Sequence, residues 1–316
     1  MRDRLLEPKL SFPESDSDRS PRSKCPFMIA YNILIEQKHR LAKFHGDGQP
    51  IDPVLSETIR VSCLKNDIPQ TLTYEELILI DPALPTIGSD DLERYFYEVH
   101  RDIEFSGRII VDFLFRFFNN PESINISDID LFQNNIDGFE QALKKVNTFT
   151  EPSFVAGFKE FRGYFHKHPV SDEPGASGLY SALFRTLNQL LEQENYPNLD
   201  DSKYLPRFDN GDYTTVEQIQ TAQELRLQSG SAFDVLDKLK ESKVKEVLNQ
   251  QLIQLLEVIK NFRQDHFKAI RANIPQVLSG DPGTGGISEV AKFLGIMLRL
   301  TTQTLKNRRK LYASTK

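Results

Sequence analysis

Apolar side chains recur every three or four positions along most of this chain, the spacing that gathers them on one face of an α-helix. The longest such row is Leu248, Leu252, Leu255, Ile259 and Phe262, and its next step lands on His266. A second row runs Phe96, His100, Ile103, Gly107, Ile110, Leu114 and Phe117, so a histidine again sits on an apolar stripe, here near a glycine that leaves room for a close approach. Ser89, Asp90 and Asp91 cap that helix, with acidic groups where the dipole favours them, and it is predicted to end near Phe118. A third row, Ile129, Phe132, Ile136, Phe139, Leu143 and Val146, predicts a helix from Asp128 to Phe149. Pro152 opens the aromatic segment that carries Lys159 and Arg162.

Other helices are expected over 26–42, around 54–64, briefly over 73–82, from Leu179 to about Glu194, from Thr214 to Gln228, and from Ile287 to about Arg309. Pro275 stops the helix of His266, and the turn Gly280 to Gly286 leads into the last one. No stretch alternates with period two and no internal repeat is present. The expectation is an all-α fold, a multi-helix bundle of eight to ten helices. Residues 1–24 are rich in serine, proline and charge, so residues 1–70 read as a flexible arm with accessory helices and 71–316 as the main helical domain.

Composition narrows the function classes. With 316 residues and 39% hydrophobic content the chain can bury a large core, and its net charge of −6 argues against a general nucleic-acid or anionic-membrane binder. The basic cluster at 306–310 reads as a solvated helix end. Two cysteines are too few for a disulfide framework or a cysteine metal cage. The longest apolar run, Ile109 to Phe118, is broken by Asp112 and Arg116 and cannot span a bilayer, and the first residues lack a secretory apolar core. A cytoplasmic location is expected.

A lone histidine on an apolar helix face is ordinarily a satisfied core residue; two on two faces point toward a ligand shared between helices. Zinc would need three or four ligands, and the close pairs His39 and His45, and His166 and His168, lie on polar or loop segments. A di-iron site would need Glu-x-x-His on facing helices, which the chain lacks. A haem needs only one imidazole and a large apolar slot, for which 22 Phe and 10 Tyr supply wall material. The turn at 280–286 is followed by no Lys-Ser/Thr and preceded by no strand, so it is neither a nucleotide-hydrolase loop nor a dinucleotide fingerprint. Its backbone amides and the Thr284 hydroxyl can close on a small polar ligand, and Arg162 or Lys159 can clamp a carboxylate, although each cation alone also reads as a solvated face.

Four blocks in order resemble the tryptophan 2,3-dioxygenase and indoleamine 2,3-dioxygenase superfamily of histidine-ligated haem enzymes. They are Leu72-Thr73-Tyr74 with Leu77 and Asp81; Phe96-Tyr97-Glu98-Val99-His100; Phe158 to Phe165 with Pro174-Gly175-Ala176-Ser177-Gly178 and Ser181; and Phe262-Arg263-Gln264-Asp265-His266 with Gly283-Thr284-Gly285-Gly286. The last is the most specific, and the quoted residues fall between 72 and 286. The family usually continues Gln-Thr-x-Glu-Leu-Trp after the distal histidine, whereas this chain has Arg101-Asp102-Ile103-Glu104-Phe105-Ser106. That departure fits a divergent branch, similar to the ring-rearranging enzyme of pyrrolnitrin synthesis or the haem-dependent tyrosine hydroxylases of secondary metabolism.

The resemblance implies haem b held by His266 as axial ligand and bordered by Gly283 in a catalytic domain over 71–316. It implies His100 on the oxygen side as the catalytic group, and Phe96 packed on the substrate ring. Arg162 would take the substrate carboxylate, with Lys159 as the alternative register. Thr284 and Gly285 would meet the ammonium group, with Ser177 and Gly178 lining the same pocket. Tyr74 would serve a neighbouring subunit, so a homo-oligomer (dimer or tetramer) is implied. The expected activity is oxidation of an aromatic amino acid by O2, with tryptophan or a modified tryptophan as substrate. The alternatives are a monooxygenase of tyrosine-like substrates using peroxide, and a helical haem-sensing or interaction protein without catalysis.

Overall fold

The computed structural model describes residues 90–161, 181–192, 215–274 and 290–315, together with positions 57, 61 and 78. Its elements in chain order are α1 (Asp90–Asn119), α2 (Ile126–Lys144), a 3-10 segment (Lys145–Thr150), α3 (Pro152–Phe161), α4 (Ala182–Leu191), α5 (Thr215–Ser229), α6 (Ala232–Lys238), α7 (Lys243–Asn273) and α8 (Val290–Thr315). A single 3-10 turn, Pro121–Ser123, joins α1 to α2. Among the described residues the fold is all-α and contains no strand. The helices expected over 26–42 and 73–82 lie outside the described residues, apart from Ile78, and of the 54–64 piece only Glu57 and Val61 are described, both helical.

Local chemistry sets the boundaries. Asn125 starts α2 with a capping box, its side chain accepting from Asp128 N while Asp128 accepts from Asn125 N. The expected continuous helix from Asp128 to Phe149 therefore begins earlier, and its end tightens into the 3-10 segment after Lys144. Gly230 closes α5 at φ 85, its N–H returning to Arg226 O at 3.0 Å. Ser231 then caps α6 through a second capping box with Asp234. The last helix runs beyond the expected stop near Arg309, as far as Thr315.

α7 is the central helix, packed by α2, α3, α6, α8 and the 3-10 segment. Its predicted stripe is real: Leu248, Leu252, Leu255 and Ile259 are buried, each worth about 1.5–3 kcal/mol relative to exposure. The helix is also buried on other sides, where polar groups face inward. Gln251 Nε2 donates to Ile129 O at 2.9 Å, and Asn249 Oδ1 accepts from Arg308 Nε at 2.7 Å. Arg308 corrects the reading of 306–310 as a wholly solvated end. It is buried, forks onto both Asp237 carboxylate oxygens at 2.7 Å, and lies over the Phe233 ring.

α1 packs on α2 through stacked Phe113 and Phe132, with ring centroids 3.9 Å apart. Its predicted face is buried from Ile103 through Phe117. The space that Gly107 leaves open is filled by Leu183 of α4. A Cβ at 107 would come within 2.3 Å of Leu183 Cδ2, so this glycine serves helix packing.

Candidate functional site

Both predicted stripes change character at their histidines. On α1 the face is sealed from Ile103 onward, but Phe96 and His100 are only half-buried. On α7 it is sealed from Leu248 to Ile259, and Phe262 and His266 are half-buried. Each histidine is heavily surrounded by protein, and each residue as a whole keeps some accessible surface. The partial exposure of Phe96, His100, Phe262 and His266 marks where a space beside the two rings would lie, since solid packing would have removed it.

The two rings also share that region. A charge on His100 disfavours a charge on His266, so the imidazoles are near electrostatic neighbours. Burial is the leading cause that holds each pKa down, to about 4 for both; for His100 the hydrogen bond to Phe96 acts in the opposite direction. Both are neutral at pH 7, the form in which an imidazole binds a metal.

Aromatic rings wall the space. Phe96 lies 4.2 Å from His100 by ring centroids, and Phe149 lies parallel to His100 at 5.7 Å. Phe154 stacks on Phe149 at 4.5 Å, and Phe158 adjoins Phe96 at 5.7 Å. Around His266, Phe184 and Phe262 form with it a run of near-parallel rings at 4.8 and 5.4 Å, which fixes the plane of the imidazole.

The two histidines differ in hydrogen bonding. His100 Nδ1 donates to Phe96 O at 2.8 Å, since a carbonyl only accepts, and so its lone pair is on Nε2. This is how proteins orient a metal-binding or proton-accepting imidazole. His266 has no hydrogen-bond partner for either ring nitrogen among the described residues, and neither nitrogen is among the fully buried unsatisfied atoms, so a ligand can reach the ring. Those features fit a haem: a neutral imidazole with an available nitrogen, facing an aromatic-walled space. No cluster of three His, Cys, Asp or Glu side chains suited to a metal ion occurs among the described residues.

Of the remaining candidates, Lys159 belongs to α3, the helix that supplies Phe154 and Phe158, and its side chain lies outside the described residues. Tyr74, Arg162, Ser177, Gly178, Gly283, Thr284 and Gly285 also lie outside them. Ile78, from the same segment as Tyr74, is buried, and its carbonyl accepts from Arg101 Nε at 2.9 Å, one residue beyond His100.

Sequence reasoning quoted Ser181 and Arg263 only within the resembling blocks and missed their buried polar partners. Ser181 caps α4 by accepting from Phe184 N and gives its own proton to buried Glu104 at 2.6 Å. Arg263 is buried against Glu192. A charged residue one turn before His266, within an otherwise apolar register, was the available signal. No helix among the described residues is long and apolar enough to cross a membrane. In comparisons with known proteins, no family model matches the chain and no curated protein matches it.

Proposed function

We propose that this chain binds haem b through His266, with His100 on the oxygen side, and oxidises an aromatic amino acid, tryptophan or a modified tryptophan. The observation that carries this reading is the pair of neutral imidazoles on α1 and α7, near enough for their charges to interact and set among aromatic rings where both apolar stripes lose their full burial. The sequence resemblance, independent of that geometry, assigns the same two histidines.

Haem iron, when bound, supplies the oxygen chemistry. The chain's own residues do the rest. Phe184 and Phe262 hold the His266 ring in plane. Phe96, Phe149, Phe154 and Phe158 exclude water and offer an indole a flat apolar surface. His100, with Nδ1–H committed to Phe96 O, presents Nε2 as its acceptor, able to receive an N–H or take a proton from a bound substrate. Arg162 or Lys159 takes the substrate carboxylate, and Thr284 with Gly283 and Gly285 meets the ammonium group, so both ends of the zwitterion are paired.

Protein expressed with haem precursor tests this directly. The reading expects a Soret band that is lost in His266→Ala, and conversion of tryptophan to an N-formyl product by the ferrous protein. Well-folded protein that takes up no hemin overturns it. Turnover of a phenol with peroxide, without the N-formyl product, moves the assignment to a monooxygenase.

One observation favours a second reading. The Nδ1 hydrogen bond of His100 also suits a second axial ligand, which would make the protein a bis-histidine haem sensor or carrier. A six-coordinate low-spin ferric spectrum that becomes five-coordinate in His100→Ala supports that reading over catalysis.

A further inference from the structure

The apolar stripe that sets the rotation of α7 is sealed only as far as Ile259. Beyond it, Phe262, His266 and Ile270 are half-buried and, besides Arg263, only Ala269 and Asn273 are buried, so apolar packing holds the rotation of this last stretch less firmly than that of the stretch before it. A buried polar assembly sits at that point. Arg263 Nη1 donates to Glu192 Oε1 at 2.7 Å and to Met297 O at 2.9 Å, and Nη2 donates to Asn188 Oδ1. Thr301 Oγ1 lies 2.9 Å from the same Glu192 oxygen and 3.0 Å from Met297 O, and its single proton can serve either. Arg263, Glu192, Asn188 and Thr301 are all buried. One guanidinium thus ties α7 to α4, through Asn188 and the residue that ends α4, and to α8.

We propose that Arg263, clamped by Glu192, is a positioning residue that sets the rotation of the C-terminal part of α7 and so aims the His266 ring into the aromatic-walled space. Its planar fork accepts partners only in fixed directions, and a buried charge cannot leave them. Rotating α7 to swing His266 away would strip the guanidinium of partners on both neighbouring helices. His266 follows Arg263 by less than one turn, so the constraint reaches the ring through rigid helix. The inference concerns aim rather than fold, because a well-packed apolar pair in the same place would keep the helices together without fixing their angle.

The inference rests on the reading of His266 as the iron ligand, but one arm of its test does not. The full chain is compared with Arg263→Met/Glu192→Met, which replaces the ion pair with apolar side chains, and with Arg308→Lys, which weakens another buried arginine clamp far along α8. The measurements are the urea midpoint, the imidazole nitrogen resonances of His266 in haem-free protein, and hemin affinity with the ferric spectrum. The double methionine variant is expected to fold, to shift and broaden the His266 resonances, and to bind hemin roughly tenfold more weakly with an altered spectrum, the size of effect seen when groups behind a metal-binding histidine are removed. Arg308→Lys is expected to lose stability and leave the His266 resonances and hemin affinity unchanged. Should the double variant fail to unfold cooperatively, Thr301→Val removes one contact of Glu192 at constant volume, and the same shift at smaller amplitude is expected. Unmoved His266 resonances in both variants overturn the proposal, as does a loss of hemin affinity that merely follows stability in Arg308→Lys. If wild-type protein takes up no hemin, the haem reading fails, and the resonances alone decide the positioning role.

Discussion

The side-chain amide of Asn273 donates to the backbone carbonyl of Phe149 at 2.7 Å, joining the last turn of the helix that carries His266 to the ring that lies parallel to His100. Asn273 falls two turns after His266 on nearly the same face of α7. This hydrogen bond therefore ties the end of the His266 helix to a residue packed on His100.

Replacing Asn273 with alanine leaves the Phe149 carbonyl without its donor inside the protein. A loss of about 1–2 kcal/mol in urea unfolding is expected. The same variant should weaken hemin uptake beyond what its stability loss explains. A variant with wild-type uptake would separate this tie from the site.

The half-buried, neutral histidines make stability depend on pH. Burial lowers the pKa of each from 6.5 to about 4, so below pH 6.5 the unfolded chain binds protons that the folded protein refuses. Stability is thus full above about pH 6.5 and falls between there and pH 4, by at most about 1.4 kcal/mol per pH unit for each histidine. Glu192 acts oppositely, since burial raises its pKa and favours the folded state as pH falls toward its unfolded value. Urea midpoints of His100→Gln/His266→Gln against wild type isolate the histidine part. The variant should show the shallower fall from pH 7 to pH 5, and parallel curves would count against burial of both rings.

Gly107→Ala drives a methyl group into Leu183. The neighbour is the end of a flexible side chain, so the cost is expected at about 1–3 kcal/mol rather than loss of folding. Leu183→Ala alone should cost about 2–5 kcal/mol by opening a cavity. The double variant should be more stable than the sum of the two, since the methyl enters the vacated space; additive losses would show that the two side chains do not meet.

Arg308→Ala should lower stability by about 2–3 kcal/mol, less than for a fully buried pair because Asp237 is 45% exposed. Arg308→Lys keeps the charge but loses the fork onto Asp237 and the planar contact with Phe233, so an intermediate loss is expected. Equal midpoints for lysine and arginine would show that charge alone matters there.

Much of the architecture is legible in side-chain spacing. The stripes of α1, α2 and α7 are where period 3.6 puts them, because a helix that buries one face must repeat its apolar residues at that period. Ends were less legible. The start of α2 depends on Asn125 and Asp128 capping each other, and the break after Lys144 depends on a tightening of the last turn that no residue type announces.

By itself, the sequence determined the all-α class and which face of α1 carries His100 and which face of α7 carries His266. Those are properties of one helix at a time, and periodicity suffices for them. That both stripes open at their histidines, that the two rings sense each other's charge, and that Arg263 and Arg308 are buried clamps rather than wet cations was decided only by the tertiary structure. The physical reason is distance along the chain. Arg263 is satisfied by Glu192 and Met297, and Arg308 by Asp237 and Asn249, partners many residues away whose approach depends on how helices pack, and no local pattern encodes that approach.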